Sequence, residues 1–257
     1  MNLPVLSIEQ IEMFFLVFIR VTTIIAMIPV LGDRTVPFKI KGALSLFVAF
    51  LVFPFVEPHA PLSENLFSMA FRISGEVLIG VLLGFASRLV FAGIQLAGQL
   101  IGFQMGFSIV NIIDPVTSTQ VSIIAEFQYL VAALLFLATS AHHVFLAAIV
   151  ESYKVLPIYD FQFTGALMQA LIDLSGNMFV IAAKISAPLI AALLLTNVGL
   201  GLIARTVPQI NIFIVGFPLQ IAVGLIGIGL TLPIFLNIVG RFFTNMEGEV
   251  SLLLRLM

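Results

Sequence analysis

Residues 206–240 read TVPQINIFIVGFPLQIAVGLIGIGLTLPIFLNIVG, thirty-five residues without a charged side chain. Water cannot solvate a surface built from such a run, whereas a bilayer accepts it: about 20 apolar residues in helix cross the hydrocarbon. At about 1.5 Å per residue the run is too long for one straight span and too short for two spans and a turn. Pro208, Pro218 and Pro233 are expected to break or kink it, because proline has no N–H to donate and its ring collides with the preceding turn. The fold class that follows is all-α, a polytopic helical membrane protein whose helices are broken by proline and glycine.

The rest of the chain agrees. Of 257 residues, 61% are hydrophobic and 9% are charged, against about 25% charged in soluble domains. Twenty-four charges are too few to coat a soluble body of this size, so apolar surface must face lipid, other subunits, or both. The net charge of −2 with no basic block excludes a nucleic-acid surface. Absence of Cys excludes disulfides and thiolate chemistry. The start, Met1 to Gln10, has no basic stretch and carries Glu9, so a cleaved signal peptide is not expected. Trp is absent and Tyr occurs three times against 25 Phe. Interfacial Trp/Tyr belts are therefore thin, and much of the apolar surface is expected to meet protein.

Charges and prolines divide the remainder into blocks. Ile11–Leu31 is interrupted by Arg20 and Pro29, and the densest charge cluster (Asp33, Arg34, Lys39, Lys41) follows. The positive-inside rule puts that cluster in the cytoplasm with the N-terminus outside. Gly42–Val56, 15 uncharged residues, falls short of a span. Leu66–Phe107 is long, with Arg72, Glu76 and Arg88 inside it. Phe127–Val150 reads as a 24-residue span, Glu151–Asp173 as a mixed loop with a short amphipathic piece, and Ile185–Ala204 as another span. Neither a soluble domain nor a convincing repeat is present.

Taken as one helix, residues 80–106 place Gly80, Gly84, Arg88, Gln95, Gly98, Gln99, Gly102 and Gly106 on one narrow face, with Phe91 as its bulky member. Gly80–Gly84, Gly98–Gly102 and Gly102–Gly106 have the small-xxx-small spacing that admits a neighbouring backbone. Such a face is either plain close packing or packing that also borders an aqueous path. Downstream, Gly106, Asn111 and Asp114-Pro115 should end the helix. Phe107, Ile109, Val110, Ile112 and Ile113 are then apolar side chains on broken backbone. They form either a loop packed under its neighbours or a hydrophobic constriction that closes a pore by dewetting.

Interior charges are the third feature: Arg20, Arg72, Glu76, Arg88, Glu126, Lys184 and Arg205 lie in or beside apolar blocks. Arg72 and Glu76 are spaced to pair along one helix. Scattered as they are, these charges suit structural ion pairs better than a proton relay. No catalytic constellation accompanies them. Adjacent His142 and His143 diverge on a helix and cannot clamp one metal, and no phosphate loop or His-Glu-x-x-His exists.

Several strings resemble one family nearly end to end. They are Arg20 through Pro29-Val-Leu-Gly32 with Pro37 downstream, Gly75-Glu76 through Gly80 and Gly84-Phe85, and Ala97-Gly-Gln-Leu-Ile-Gly-Phe-Gln-Met-Gly106 leading to Asp114-Pro115. Later come Asn197, Gly199-Leu-Gly201, Ala204-Arg-Thr-Val-Pro-Gln-Ile-Asn211 and Gly216-Phe-Pro218. The chain thereby resembles the FliR family of flagellar export-gate proteins and their virulence-secretion relatives. One departure is Ser140-Ala141 before His142-His143, where the family often has glycine.

The resemblance implies a fusion of a FliP-like part, about residues 1–190, and a FliQ-like part, about 191–257. It implies a hetero-oligomer with FliP-like and FliQ-like subunits, with FlhB-like and FlhA-like components nearby. The assembly would sit in the bacterial inner membrane at the flagellar basal body and pass unfolded flagellar proteins. A loop matching 106–119 would block its pore, giving Phe107, Ile109, Val110, Ile112, Ile113, Asp114 and Pro115 to the plug. Neither cofactor nor enzyme activity is implied. An independent small-solute transporter is the other reading of broken membrane helices.

Overall fold

A computed structural model describes residues 7–56, 65–107, 122–209 and 211–257. Among these, seven α-helices and no strand occur: α1 Ile8–Met27, α2 Phe38–Val52, α3 Leu66–Gln104, α4 Ile123–Ala138, α5 Ala141–Val155, α6 Gly165–Thr206 and α7 Ile212–Leu256. A 3-10 turn, Phe53–Phe55, extends α2. Five helices are long and apolar enough to cross a membrane, or six spans if α4 and α5 count as one bent span. The chain is therefore an all-α polytopic membrane protein.

Local chemistry sets the helix ends. Ser7 and Gln10 form a capping box at the start of α1. After α1, Lys41 Nζ donates to Gly32 O at 2.9 Å and to Asp33 O, tying the turn to α2. Helix α3 ends in a Schellman arrangement: Phe107 N donates to Gly102 O and Gly106 N to Phe103 O, both at 3.1 Å. That ending needs a left-handed residue, and Gly106 supplies φ +89°.

Contacts divide the chain into two compact units. The first contains 1–89, 140–174 and 243–257, and its core is the inner stripe of α1: Leu16, Val17, Val21, Ile24 and Ile25, all fully buried. The second contains 90–139 and 175–242, and its core joins Ile101, Met105 and Ile124 to Leu189 and Leu193, with Phe107, Val223 and Ile228 packed against them. Helices α3, α6 and α7 each supply segments to both. Helices α6 and α7 run antiparallel as a hairpin. In the second unit Leu189 meets Gly227 and Asn197 meets Gln220. In the first, Thr164 Oγ1 donates to Leu256 O at 2.8 Å.

Several expectations are corrected. Gly42–Val56 is not too short to span, because the helix starts at Phe38 and Phe38–Phe55 gives 18 residues of sufficient hydropathy; the lysines begin the helix instead of bounding it. Phe127–Val150 is not one continuous helix: it is divided between α4 and α5, a pair that passes as a span only if counted together across a 61° bend. Residues 165–173 belong to α6, which runs through Pro188 for 42 residues. Within 206–240, where a break or kink is expected at each proline, α6 ends at Thr206 before Pro208 and α7 begins at Ile212, while Pro218 and Pro233 lie inside α7. Buried or neighbouring partners can satisfy the carbonyls that proline frees, which is how membrane helices tolerate it.

Ser140, the N-cap of α5, sits at φ 56° and makes the α4–α5 bend. A side chain in this region costs about 1 kcal/mol that glycine avoids. Ser140→Gly should therefore raise the thermal unfolding midpoint of the detergent-purified protein, and Ser140→Val should lower it; differential scanning fluorimetry reads both.

Candidate functional site

Arg20 and Glu76 are buried outright in the first unit, at 0% and 2% exposure. Arg20 on α1 reaches Glu76 on α3 through both ends of its fork: Nε donates to Oε2, and Nη2 to Oε1 at 3.1 Å. Its remaining amine, Nη1, donates to Ser152 O and Oγ at 3.2 Å and to Leu156 O at 3.1 Å. Those carbonyls end α5, so the guanidinium caps a third helix where its dipole favours a cation. The Tyr153 ring lies 4.2 Å below the guanidinium carbon, and its hydroxyl donates to Val17 O at 3.3 Å. One buried cation thus fixes α1, α3 and α5 together. Sequence reading missed Ser152, Tyr153 and Leu156, because two of those three bonds go to backbone that no side-chain pattern reports.

The expected Arg72–Glu76 pair is corrected. Glu76 is taken by Arg20, and Arg72 Nη1 donates across to Glu12 Oε1 at 3.1 Å. Arg72 also covers the Tyr159 ring at 3.9 Å. Burial pushes the Tyr159 hydroxyl above its ordinary pKa, the largest influence on it, with Arg72 opposing. Arg88 is another backbone cap, donating to Ala26 O at 3.0 Å and Met27 O at 3.1 Å where α1 ends. Glu126 opens α4, Lys184 lies midway along α6 and Arg205 closes it; all three are exposed in the isolated chain.

The glycine stripe meets partners within the chain. A methyl at Gly80 would lie 2.6 Å from Thr23 Cβ, and one at Gly84 would overlap Met27 Cβ, both on α1. In the second unit, Gly98 faces the backbone of Ala125 with its N at 2.8 Å, and Gly102 faces Ser122 Oγ. Ser122 Oγ in turn donates to Gly98 O at 3.4 Å. Gly93, which the stripe did not include, is as tight against Met178 O on α6, at 2.8 Å. Gly106 is corrected: it lies past the helix, at the Schellman turn, against the Phe217 ring. Of the constriction residues, Phe107 packs on the second unit's core. Ile109, Val110, Ile112, Ile113, Asp114 and Pro115 fall outside the described residues.

Among the described residues no group of three His, Cys, Asp or Glu could hold a metal. The His142 and His143 rings lie 4.3 Å apart between centroids, tilted by 59°. A groove of about 400 Å³ in the first unit is walled by Phe71, Tyr159, Phe161 and Phe163, and the charges beside it, Arg72 and Glu76, are held by the pairs above.

Residues 11–246 match the family described as bacterial export proteins, family 1, and the chain belongs to that family. Among its relatives is the flagellar biosynthetic protein FliR of Bacillus subtilis, 37% identical over 90% of each chain. The protein of that name in Pectobacterium carotovorum is 33% identical over 88% of this chain and 87% of its own. The Escherichia coli protein is 29% identical over 91% and 89%.

Removing one partner of a buried ion pair leaves a bare charge, at a typical cost of about 3–5 kcal/mol, whereas replacing both by apolar groups is often neutral. Glu76→Gln should accordingly destabilise the detergent-purified protein strongly, and Arg20→Met with Glu76→Leu should recover a large part of the loss. A denaturant-unfolding cycle over the parent, Arg20→Met, Glu76→Leu and their double variant measures the coupling. Additive effects would contradict a direct pair.

Proposed function

We propose that this chain is a non-enzymatic subunit of the flagellar type III protein export gate. It forms part of the conduit that carries unfolded flagellar proteins across the bacterial inner membrane at the basal body. Relatives named as flagellar biosynthetic proteins support the flagellar assignment. The observation that carries the gate reading is helix α7. Its 45 residues extend about 68 Å, more than twice a bilayer's hydrocarbon. Yet only 11% of its most apolar 18-residue stretch is buried within the chain. A helix so long and so bare needs protein neighbours. FliP-like and FliQ-like subunits are the neighbours we assign, with FlhB-like and FlhA-like components nearby. Residues 1–190 serve as the FliP-like part and 191–257 as the FliQ-like part, the latter including α7 of the hairpin. An independent small-solute transporter is set aside, since none of these relatives carries a transporter's name.

In this reading Phe107, Ile109, Val110, Ile112, Ile113, Asp114 and Pro115 belong to a plug that closes the conduit. Apolar side chains around a narrow path expel water, and ions cannot follow where water does not wet. The close glycine packing at Gly80, Gly84, Gly98 and Gly102 holds the walls, and Arg20, Glu76, Arg72 and Arg88 hold helices in register. No charge is asked to gate.

Deleting residues 108–119, or replacing Ile112 and Ile113 with Ser, should let ions through the resting purified complex in planar-bilayer recordings, while the complex keeps its native-gel mobility. An assembled deletion complex that stays non-conducting would sink the plug. Loss of assembly without conductance would instead mark a brace between helices.

A further inference from the structure

Helix α3 is met closely by its neighbours at several points, and those contacts differ in what they can yield. At Gly98 the opposing atoms are the Ala125 backbone, and at Gly80 they are the branched Cβ of Thr23 and the Ile24 nitrogen. Backbone and β-branched atoms have no rotamer to retreat into. At the C-terminal end of α3 the contact is of another kind. Met105, fully buried, lays its thioether into a notch at Gly224 of α7, where a methyl would lie 2.6 Å from both Cγ and Sδ. Methionine is the most adaptable of the core side chains, and a glycine notch presents no ridge to cross. The firm contacts hold α3, and the yielding one faces α7.

Three further observations attach to that contact. Gly106 ends α3 at φ +89°, where a Cβ would lie 2.8 Å from the Phe217 ring of α7. Phe107, the next residue, packs on the cluster to which Val223 and Ile228 of α7 also belong. The Gln220 amide donates to Asn197 Oδ1, tying α7 to α6. A side-chain hydrogen bond between helices in apolar surroundings has little water to exchange with.

We propose that Met105 in the Gly224 notch is a latch: α7 must slide past the end of α3 for protein to pass, and the latched position is the resting one. Met105, Gly224 and Phe217 are positioning residues, acting on the end of α3 at Gly106 and Phe107. This rests on the export-gate reading above, and it adds where the movement occurs and which helix makes it. Loosening the latch should raise resting ion flow without dismantling the complex. Fixing it should stop export without dismantling the complex.

The chain has no cysteine, so a Met105→Cys, Gly224→Cys pair can be joined without competition. A Cβ at Gly224 lies 2.6 Å from Met105 Cγ, which puts two cysteine Cβ atoms within disulfide reach. In motile cells carrying the pair, secretion of hook and filament proteins is followed before oxidation with copper phenanthroline, after it, and again after dithiothreitol. Cross-linking is quantified on the same samples, and the complex is checked on native gels. The latch predicts that export falls to background as the cross-link forms and returns on reduction, with the complex intact throughout. Undiminished export from fully cross-linked complexes overturns it, as does failure of the pair to join. A second variant needs no oxidant. Gly224→Ala only displaces a flexible side chain, and it should raise resting conductance of an assembled complex; unchanged conductance counts against the latch. The plug is judged separately by the 108–119 deletion. A conducting deletion together with freely exporting cross-linked cells leaves the plug standing and removes the latch.

Discussion

Backbone-to-backbone approach along α3 is the constraint on which the described structure depends. A 39-residue helix can take α1, α4 and α6 at such short range only if nothing projects at the crossings. Glycine stands at each: 80 and 84 for α1, 93 for α6, 98 and 102 for the start of α4. In an apolar medium there is little hydrophobic gain in bringing helices together, so van der Waals contact and interhelical hydrogen bonds must do it. Removing the side chain at the crossing increases both. The Ser122 hydroxyl reaches Gly98 O for the same reason. Bulky residues elsewhere on α3, such as Ile79, Leu83 and Ile94, then fill the space beside each crossing.

The buried Arg20 solves a second problem posed by the same medium. Helix α5 ends inside the first unit, where water cannot satisfy its last carbonyls. A guanidinium has five donors in a plane, enough to serve the Ser152 and Leu156 carbonyls and still grip a carboxylate with two. Glu76 makes that cation tolerable. Arg88 does the same for the end of α1. Two of the charges scattered through apolar blocks, Arg20 and Arg88, are thus answers to helix ends.

Much of this was legible in the sequence, unevenly. The class follows from charge scarcity and the run 206–240, and the close-packing face follows from glycine spacing. Helix limits are the least legible part: Pro188, Pro218 and Pro233 lie within helices, and Lys39 lies in the first turn of α2. The α4–α5 bend escaped notice because serine, not glycine, takes the left-handed position at 140. Arg72 and Glu76 satisfied a spacing rule but found better partners on α1, which helical periodicity cannot show. Met105 belongs to a string that carries the family resemblance, but its seat at Gly224 is invisible to helical periodicity: a methionine in an apolar run reads as filler until the glycine opposite it is known.

Helices α6 and α7, of 42 and 45 residues, are about twice the bilayer's depth, and most of the most apolar stretch of each is uncovered within the chain. We propose that other subunits cover them, and the composition of the extracted particle tests this most directly. The chain, extracted in mild detergent from flagellated cells and analysed intact by native mass spectrometry, should appear once per particle together with several copies each of two small polytopic partners. A particle made of this chain alone, monomer or homo-oligomer, with no other membrane subunit retained, would contradict the account.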